Sequence, residues 1–344
     1  MNYLFGRPTC TGKIRCEMAD FKVFEILPFE PCGEGEHLFI HIRKTGANTV
    51  FVARQLAKYF NVKEALVSYA GLKDRFAVTE QWFGVHLPGK QEFDLSDFNI
   101  EGVEVLSYKR HNKKLRTGAL QSNRFQLVVK DLSDSSELQR RWHAICEHGV
   151  PNYFGEQRFG IDGGNIDKAI ELFAGKKIKD KKKRGFYLSA ARSLLFNQVV
   201  SKRIEKGLFD NITDGDVLML SGTQSVFIAD EVDTELINRL IEKDIDITAP
   251  MWGAGELMTK NGAKELEVEV IEKFPEINKG LPRFGLKQER RRMRLSLTKP
   301  LIDVKDNTAT LSFELPAGSF ATTVFRELLD YTDMTERAGT RESE

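Results

Sequence analysis

The stretch AGLKDRFAVTEQWFGV, residues 70–85, places a lysine and an aspartate just after a glycine turn. Val67 and Tyr69 precede the turn and apolar residues resume at Val78, so the pattern predicts a strand, a turn and a second strand. An acid at such a turn projects from a rigid sheet edge, where catalytic side chains are often found. Asp74 is therefore a candidate catalytic carboxylate. The local pattern taken alone favours a plainer interpretation, an ordinary polar turn.

Five further blocks accompany GLKDRFAVTEQW along the chain: ADFKVFE (19–25), GALQSNRFQL (118–127), VPNYFGEQRFG (150–160), LSAARSLLFNQ (188–198) and LPAGSFATTVFREL (315–328). These six blocks resemble, in the same order, motifs of the TruD family of tRNA pseudouridine synthases. GLKDRFAVTEQW resembles the GxKD motif of that family. One short motif can recur by chance, but six in family order across 344 residues identify the chain as a member of this family.

The resemblance implies an α+β fold with a discontinuous catalytic domain. That domain, residues 1–148 plus 295–344, is expected to hold a mixed, mainly antiparallel β-sheet flanked by helices. A family-specific α/β domain is expected to be inserted at residues 149–294. The composition changes at Gly149, and a hairpin-like pattern returns in LIDVKDNTATLSF (301–313). Periodicity and length alone would predict two consecutive domains.

Two helices can be placed from their apolar spacing. Thr49 is expected to be the N-cap of one that stops at Asn61. Ser189 is expected to start a second helix that ends at Gly207. The second helix has a wide apolar face, which predicts a place at the centre of its own core.

The net charge of +1 conceals three basic clusters. They are KRHNKKLR (109–116), KKIKDKKKR (176–184) and KQERRRMR (287–294), which carry +5, +6 and +4. Each cluster alone is typical of a solvated loop or helix face. Together they indicate an extended nucleic-acid footprint, because Lys and Arg displace counterions from phosphates. The middle cluster is expected to be a flexible loop that contacts the RNA backbone.

Composition is that of an ordinary globular protein, with 41% hydrophobic and 29% charged residues. No export signal and no membrane-spanning apolar run is apparent, so a cytoplasmic location is expected. The four cysteines form no CxxC pair. His143, Cys146 and His148 have the wrong spacing to share one helix face, which argues against a metal site.

Pseudouridine formation, the activity that the resemblance implies, breaks the bond between the ribose and the uracil nitrogen and rejoins the base through its carbon 5. It requires neither cofactor nor metal. One ionised carboxylate, Asp74, could form an ester with the anomeric carbon, or it could remove the neighbouring ribose proton to give a glycal. Lys73 is a candidate to favour the ionised form. Consecutive residues of an extended segment point to opposite sides, so Arg158 or Arg124 could do this instead.

The family's substrate pocket uses the residues at the positions of Phe21, Asn123 and Phe320. Aromatic faces can hold a flipped base, and an Asn amide offers both a donor and an acceptor to the uracil imide. Phe125 and Lys73, which lie in the same matched blocks, are further candidates for substrate binding. Because the chain has 24 Phe residues, core packing is the plainer interpretation of each aromatic ring.

The resemblance implies a tRNA pseudouridine synthase that acts on uridine 13 in the D-arm region. Its partner would be tRNA, with no small-molecule cofactor and no membrane, and a monomer is favoured. The main alternative is a non-catalytic RNA-binding or RNA-chaperone protein of the same fold. A nucleoside hydrolase is a third possibility, but such an enzyme would normally use a second acid or a metal.

Overall fold

The computed structural model describes residues 1–89 and 91–335. The chain divides into two compact units. The first, here called the sheet unit, comprises Pro8–Cys146, Leu297–Ala321 and the chain from Leu328 onward. The second, here called the helix unit, comprises Met1–Arg7, Glu147–Ser296 and Thr322–Glu327.

The strands are numbered in chain order. They are β1 (Thr11–Ile14), β2 (Phe21–Ile26), β3 (His37–Thr45), β4 (Val67–Tyr69), β5 (Val78–His86), β6 (Val103–His111), β7 (Ser122–Lys130), β8 (Val150–Pro151), β9 (Val217–Leu220), β10 (Val226–Ile228), β11 (Ile245–Met251), β12 (Glu289–Arg292), β13 (Arg294–Leu295), β14 (Thr298–Lys305), β15 (Thr308–Pro316) and β16 (Asp330–Asp333).

The α-helices are α1 (Thr49–Tyr59), α2 (Ser135–His148), α3 (Gly164–Phe173), α4 (Lys181–Glu205), α5 (Thr234–Ile241), α6 (Asn261–Ile271), α7 (Pro275–Arg283) and α8 (Ala321–Leu328). Among these helices, none combines the length and the apolar character that a bilayer-spanning segment requires.

The sheet unit is built on one large mixed sheet in the order β14-β15-β7-β2-β5-β3-β6. Its pairs are antiparallel except for β2 with β5 and β1 with β16, which run parallel. Helix α1 packs Val52 and Leu56 against Ile40 and Phe83 of the sheet, and all four side chains are fully buried. This mainly antiparallel α+β architecture confirms the expected fold class.

The centre of the sheet brings three matched blocks side by side. Strand β2 lies between β7 and β5, and Glu25 of β2 is opposite Asn123 of β7. On its other side Asn123 is opposite Leu315 of β15. The hairpin of β14 and β15 turns at Asp306, whose φ of 51° is left-handed, as the Asp-Asn pair predicts. The register therefore aligns polar residues from distant parts of the chain.

The helix unit is organised around α4, which packs on the four-stranded sheet β10-β9-β11-β12. Leu195, Phe196, Val199 and Val200 are fully buried, which confirms the expected central position of this helix. Its start was wrongly expected at Ser189. The helix begins eight residues earlier, because the Asp180 carboxylate accepts hydrogen bonds from the first-turn amides of Lys182 and Lys183. Much of the middle basic cluster is therefore helical.

The N-cap of α1 is Asn48, and the expectation of Thr49 was wrong by one residue. The Asn48 side chain accepts a hydrogen bond from the amide of Phe51 at 2.8 Å. The Thr49 hydroxyl therefore does not cap the helix. It accepts a hydrogen bond from the amide of Lys73, in the loop that carries Asp74.

Candidate active site

Asp74 lies on the loop between the antiparallel strands β4 and β5, as the sequence predicts. Polar side chains fix the backbone of this loop. The Lys73 amide donates to the Thr49 hydroxyl at 3.1 Å, and that hydroxyl donates to the Gln81 side chain at 2.9 Å. Gln81 in turn donates to the carbonyl of Gly71 at 2.6 Å. Such bonds pre-organise the loop, since they hold its backbone in one conformation before any ligand binds.

A buried lysine holds the backbone of Asp74 itself. Lys44, at the end of β3, is fully buried, and its Nζ donates to the carbonyl oxygens of Asp74 at 3.1 Å and Ala47 at 2.8 Å. Burial lowers the pKa of Lys44 from 10.5 to about 8. Burial therefore disfavours the ammonium form, and its hydrogen bonds to the two carbonyl oxygens offset part of that cost.

The Lys44 ammonium gives a testable dependence of stability on pH. Burial of this charge lowers the free energy of unfolding by its full amount below pH 8. The loss is relieved between about pH 8 and 10.5, because the folded protein loses this proton at a lower pH than the unfolded chain does. Over this range we expect the free energy of unfolding of the wild type to gain up to about 3 kcal/mol relative to Lys44→Met. Denaturant unfolding at several pH values measures the difference. The exposed Lys58→Met is the matched control, and parallel profiles for wild type and Lys44→Met would contradict the prediction.

The ionic partner of the Asp74 carboxylate is Arg15. Nη2 of Arg15 lies 2.9 Å from Oδ2 of Asp74, and Nη1 lies 2.9 Å from Oδ2 of Asp333 in β16. The guanidinium carbon also lies 4.2 Å from the centroid of the Phe21 ring. The side chains of Arg15 and Asp333 are each 8% exposed, whereas that of Asp74 is 49% exposed. A buried guanidinium cation thus orients a carboxylate that is open to solvent.

Lys73 does not pair with Asp74. Its Nζ lies 2.6 Å from Oε1 of Glu25, and both side chains are buried. The other carboxylate oxygen of Glu25 accepts a hydrogen bond from the Trp82 amide. Burial raises the pKa of Glu25, while Lys73 acts against this rise. Lys73 therefore anchors the loop, and its suggested pairing with Asp74 is corrected; its suggested role in substrate binding stays a prediction.

The two other suggested partners of Asp74 are also engaged elsewhere. The guanidinium of Arg124 lies over the ring of Phe24, 4.5 Å from its centroid. Arg158, in the helix unit, donates to the Ser189 hydroxyl at 3.2 Å.

Asn123 offers an unused acceptor. Its side chain is largely buried, and its Oδ1 accepts no hydrogen bond from the residues that the structure describes. Buried polar atoms of this kind are normally satisfied, so an unsatisfied one requires an explanation. The strand register places Asn123 opposite Glu25, whose carboxylate bonds to Lys73, the residue before Asp74. Asn123 is thus linked through two contacts to the Asp74 loop.

The aromatic candidates differ in their surroundings. The Phe21 ring is 3% exposed, with Arg15 over it and Phe125 against its edge at 6.4 Å. Phe125 is also buried and stacks on Phe313 at 5.5 Å. Phe125 therefore packs within the sheet, and its suggested role in substrate binding stays a prediction. Phe21 supports Arg15 and has little free surface.

Phe320 lies in the short segment between β15 and α8 and is half-buried. Gly318 has a φ of 80°, and the Ser319 amide donates to the Pro316 carbonyl at 3.2 Å, which makes the expected tight turn. Strand β15 ends with Pro316 opposite Ser122, the neighbour of Asn123. The segment that carries Phe320 therefore starts beside the strand end that carries Asn123.

Arg15, Lys44, Glu25 and Asp333 were not identified from the sequence. Glu25 is the last residue of the matched block ADFKVFE, and Lys44 interrupts an apolar strand, so both carried a weak signal. Arg15 and Asp333 lie outside the matched blocks and meet only because β1 and β16 pair with Ile14 opposite Asp333.

Three arginines of the third basic cluster are engaged in ion pairs within their own unit. Its arginines at 290, 292 and 294 pair with Glu267, Asp246 and Asp210 within the helix unit, at 2.8, 2.9 and 2.5 Å. Acids that are distant in sequence therefore neutralise these three charges, and the expected RNA contact of the cluster stays a prediction. Most basic residues of the first two clusters are exposed, at positions 109, 113, 114, 116, 176, 177, 179 and 181–183.

Comparison with known proteins identifies the family. The profile of tRNA pseudouridine synthase D (TruD) matches residues 1–179 and 164–328. The chain is 63% identical, over 99% of its length and 96% of the relative's, to the tRNA pseudouridine synthase D of Colwellia psychrerythraea strain 34H. It is 50% identical to that of Aeromonas hydrophila, over 95% of this chain and 93% of the relative.

A crystal structure of a provisionally assigned tRNA pseudouridine synthase D (TruD) from Methanosarcina mazei has the same fold. Its TM-score is 0.72 at 21% identity, over 97% of this chain and 96% of that chain. The family match and the extent of these identities confirm the resemblance seen in the six sequence blocks. The chain belongs to the TruD family of tRNA pseudouridine synthases, which are isomerases.

Proposed function

We propose that this protein converts uridine 13, in the D-arm region of tRNA, to pseudouridine, with Asp74 as the catalytic carboxylate. The observation that carries the proposal is the environment of Asp74. This exposed acid lies on a loop whose backbone is held by the buried Lys44, and its carboxylate is held by the buried Arg15. An ordinary turn residue would not need two buried cations around it. The fold is also one that the family shares.

The geometry suits one carboxylate acting on a sugar. Oδ2 of Asp74 is held by Arg15, while Oδ1 accepts no hydrogen bond from the residues that the structure describes. Oδ1 can therefore attack the anomeric carbon to form an ester, or accept the proton of the adjacent ribose carbon to form a glycal. A primary isotope effect on single turnover with uridine deuterated at that ribose carbon would select the glycal route.

The uracil is proposed to be held by Asn123 and Phe320. The unpaired Oδ1 of Asn123 can accept a hydrogen bond from the N3–H group of the base. The detached uracil thereby gains a directional contact while it rotates. Stacking on the half-buried ring of Phe320 would contribute roughly 1–3 kcal/mol. Phe21 acts through Arg15, since its ring lies beneath the guanidinium.

The domain organisation follows from the same proposal. The sheet unit would be the catalytic domain, because it contains Asp74, Arg15, Asn123 and Phe320. The helix unit would correspond to the inserted domain, expected at residues 149–294, with the short segments Met1–Arg7 and Thr322–Glu327 added to it. We propose a cytoplasmic monomer, since tRNA is processed in the cytoplasm and every group proposed for the chemistry comes from one chain.

Mapping pseudouridine in total tRNA from cells with and without this protein tests the proposal. We expect the modification at position 13 of the D-arm to disappear in its absence and to return with the wild-type protein. Purified protein should release tritium from carbon 5 of labelled uridine in tRNA. Binding without tritium release would instead support the RNA-chaperone alternative, and free uracil would indicate a nucleoside hydrolase.

A further inference from the structure

Two arginines of the helix unit share one aromatic ring and have no acidic partner among residues 1–89 and 91–335. The guanidinium carbons of Arg291 and Arg158 lie 4.2 and 5.4 Å from the centroid of Phe154. Among the described residues, no carboxylate forms an ion pair with either side chain. Within the described part of the chain, the two cations are therefore neighbours without a counter-ion.

The surroundings make this arrangement costly. Burial lowers the pKa of both arginines, and the charge of Arg158 contributes to lowering that of Arg291 to about 10. Nε of Arg291 is buried and donates to no acceptor in the described residues, whereas its Nη2 donates to Asn152 at 2.7 Å. An unpaired buried charge destabilises a fold unless something compensates it.

The same strand shows the contrast. Each of the neighbouring cations at positions 290 and 292 of β12 has a carboxylate at 2.8 or 2.9 Å. The side chain of Arg291, between them in the sequence, instead lies beside the cation of Arg158. Arg290 and Arg292 are therefore neutralised within the fold, whereas Arg291 is not neutralised by any residue that the structure describes.

We propose that Arg158 and Arg291 form an anion-binding site and that a phosphodiester group of RNA occupies it. Guanidinium forks match phosphate oxygens and bind them in a bidentate manner. Phe154 is only 6% exposed and the two guanidinium groups lie over its ring, so no aromatic face is free to stack on a base. The site would therefore contact the phosphate backbone of the RNA. The choice of RNA rests on the proposed function, and the exposed lysines at 176, 177, 179 and 181–183 in the same unit favour a polyanion over a small anion.

The test is the salt dependence of tRNA binding by full-length Arg158→Met and Arg291→Met, in which the apolar stem is retained. We expect each variant to bind an unmodified tRNA transcript several-fold more weakly at 50 mM KCl. The slope of log affinity against log salt should become shallower by about one for each arginine. Lys264→Met, which removes an exposed charge of the same unit, is the matched control and should leave the slope unchanged.

A second measurement uses the wild-type protein and does not depend on how the variants fold. Phenylglyoxal modification of the two arginines, quantified by mass spectrometry, should be suppressed by tRNA. Modification that tRNA does not suppress, or variants that lose affinity with an unchanged slope, would overturn the proposal. Protection by inorganic phosphate but not by tRNA would also overturn it, in favour of a free-anion site.

The outcomes separate this site from the catalytic proposal. If the wild type forms no pseudouridine but both arginines contribute to the salt slope, the proposed function fails and the phosphate site stands. If the wild type modifies tRNA and both variants bind it unchanged, the site fails and the function stands.

Discussion

Replacement of Asp74 by Asn is expected to abolish pseudouridine formation while tRNA binding is retained. The amide cannot form an ester with the anomeric carbon, nor can it accept the ribose proton, so both proposed routes are closed. Loss of a group that acts directly on the substrate typically costs a factor of the order of 10⁴ or more. Tritium release under single-turnover conditions measures the loss, and filter binding measures the affinity.

The fold of Asp74→Asn should be preserved. Asp74 is 49% exposed, and Arg15 keeps its second carboxylate, Asp333, at 2.9 Å. The change in the free energy of unfolding should therefore stay within about 1 kcal/mol. tRNA affinity should be equal or slightly higher, since one negative charge is removed from the surface that is proposed to bind RNA. Asp97→Asn, an exposed change in the same unit, is the matched control. Turnover by Asp74→Asn within tenfold of the wild type would refute the assignment.

The sequence identified the acid but not the structure that holds it. The strand-turn-strand pattern around Asp74 is local, so alternation and a glycine turn were sufficient to predict it. The contacts of the acid depend on residues 59 and 30 positions away, Arg15 and Lys44. Such contacts follow from sheet register, which residue patterns do not determine across a mixed sheet.

The contacts of other residues singled out in the sequence also depend on sheet register. Arginines 290, 292 and 294 form a basic run in the sequence, but the structure pairs them with acids that are distant in the chain. Phe125 was grouped with Asn123 by its motif, and the stacking on Phe313 came from the pairing of β7 with β15. Family motifs indicated which segments matter, whereas the role of each side chain depended on its tertiary neighbours.

Removal of the Arg15 guanidinium is expected to have the second-largest effect. In Arg15→Met, Asp74 loses the only side chain that the described residues show bonded to its carboxylate. We expect kcat to fall by roughly 10²–10³, as when one pre-organised charged donor is deleted, with KM changing much less. Arg15→Lys should recover part of kcat, since an ammonium supplies the charge but cannot bridge Asp74 and Asp333 with a planar fork.

The same substitution should also destabilise the protein, and a double variant separates the two effects. Arg15→Met leaves Asp333 buried without its cation, which typically costs about 3–5 kcal/mol. Arg15→Met/Asp333→Asn removes that charge, while the Asn oxygen can still accept the bonds that Thr335 donates to Asp333. We expect the double variant to regain most of the stability but none of the lost kcat. If activity returns together with stability, Arg15 serves the fold alone; if kcat stays low in a stable protein, its contact with Asp74 is what the reaction requires.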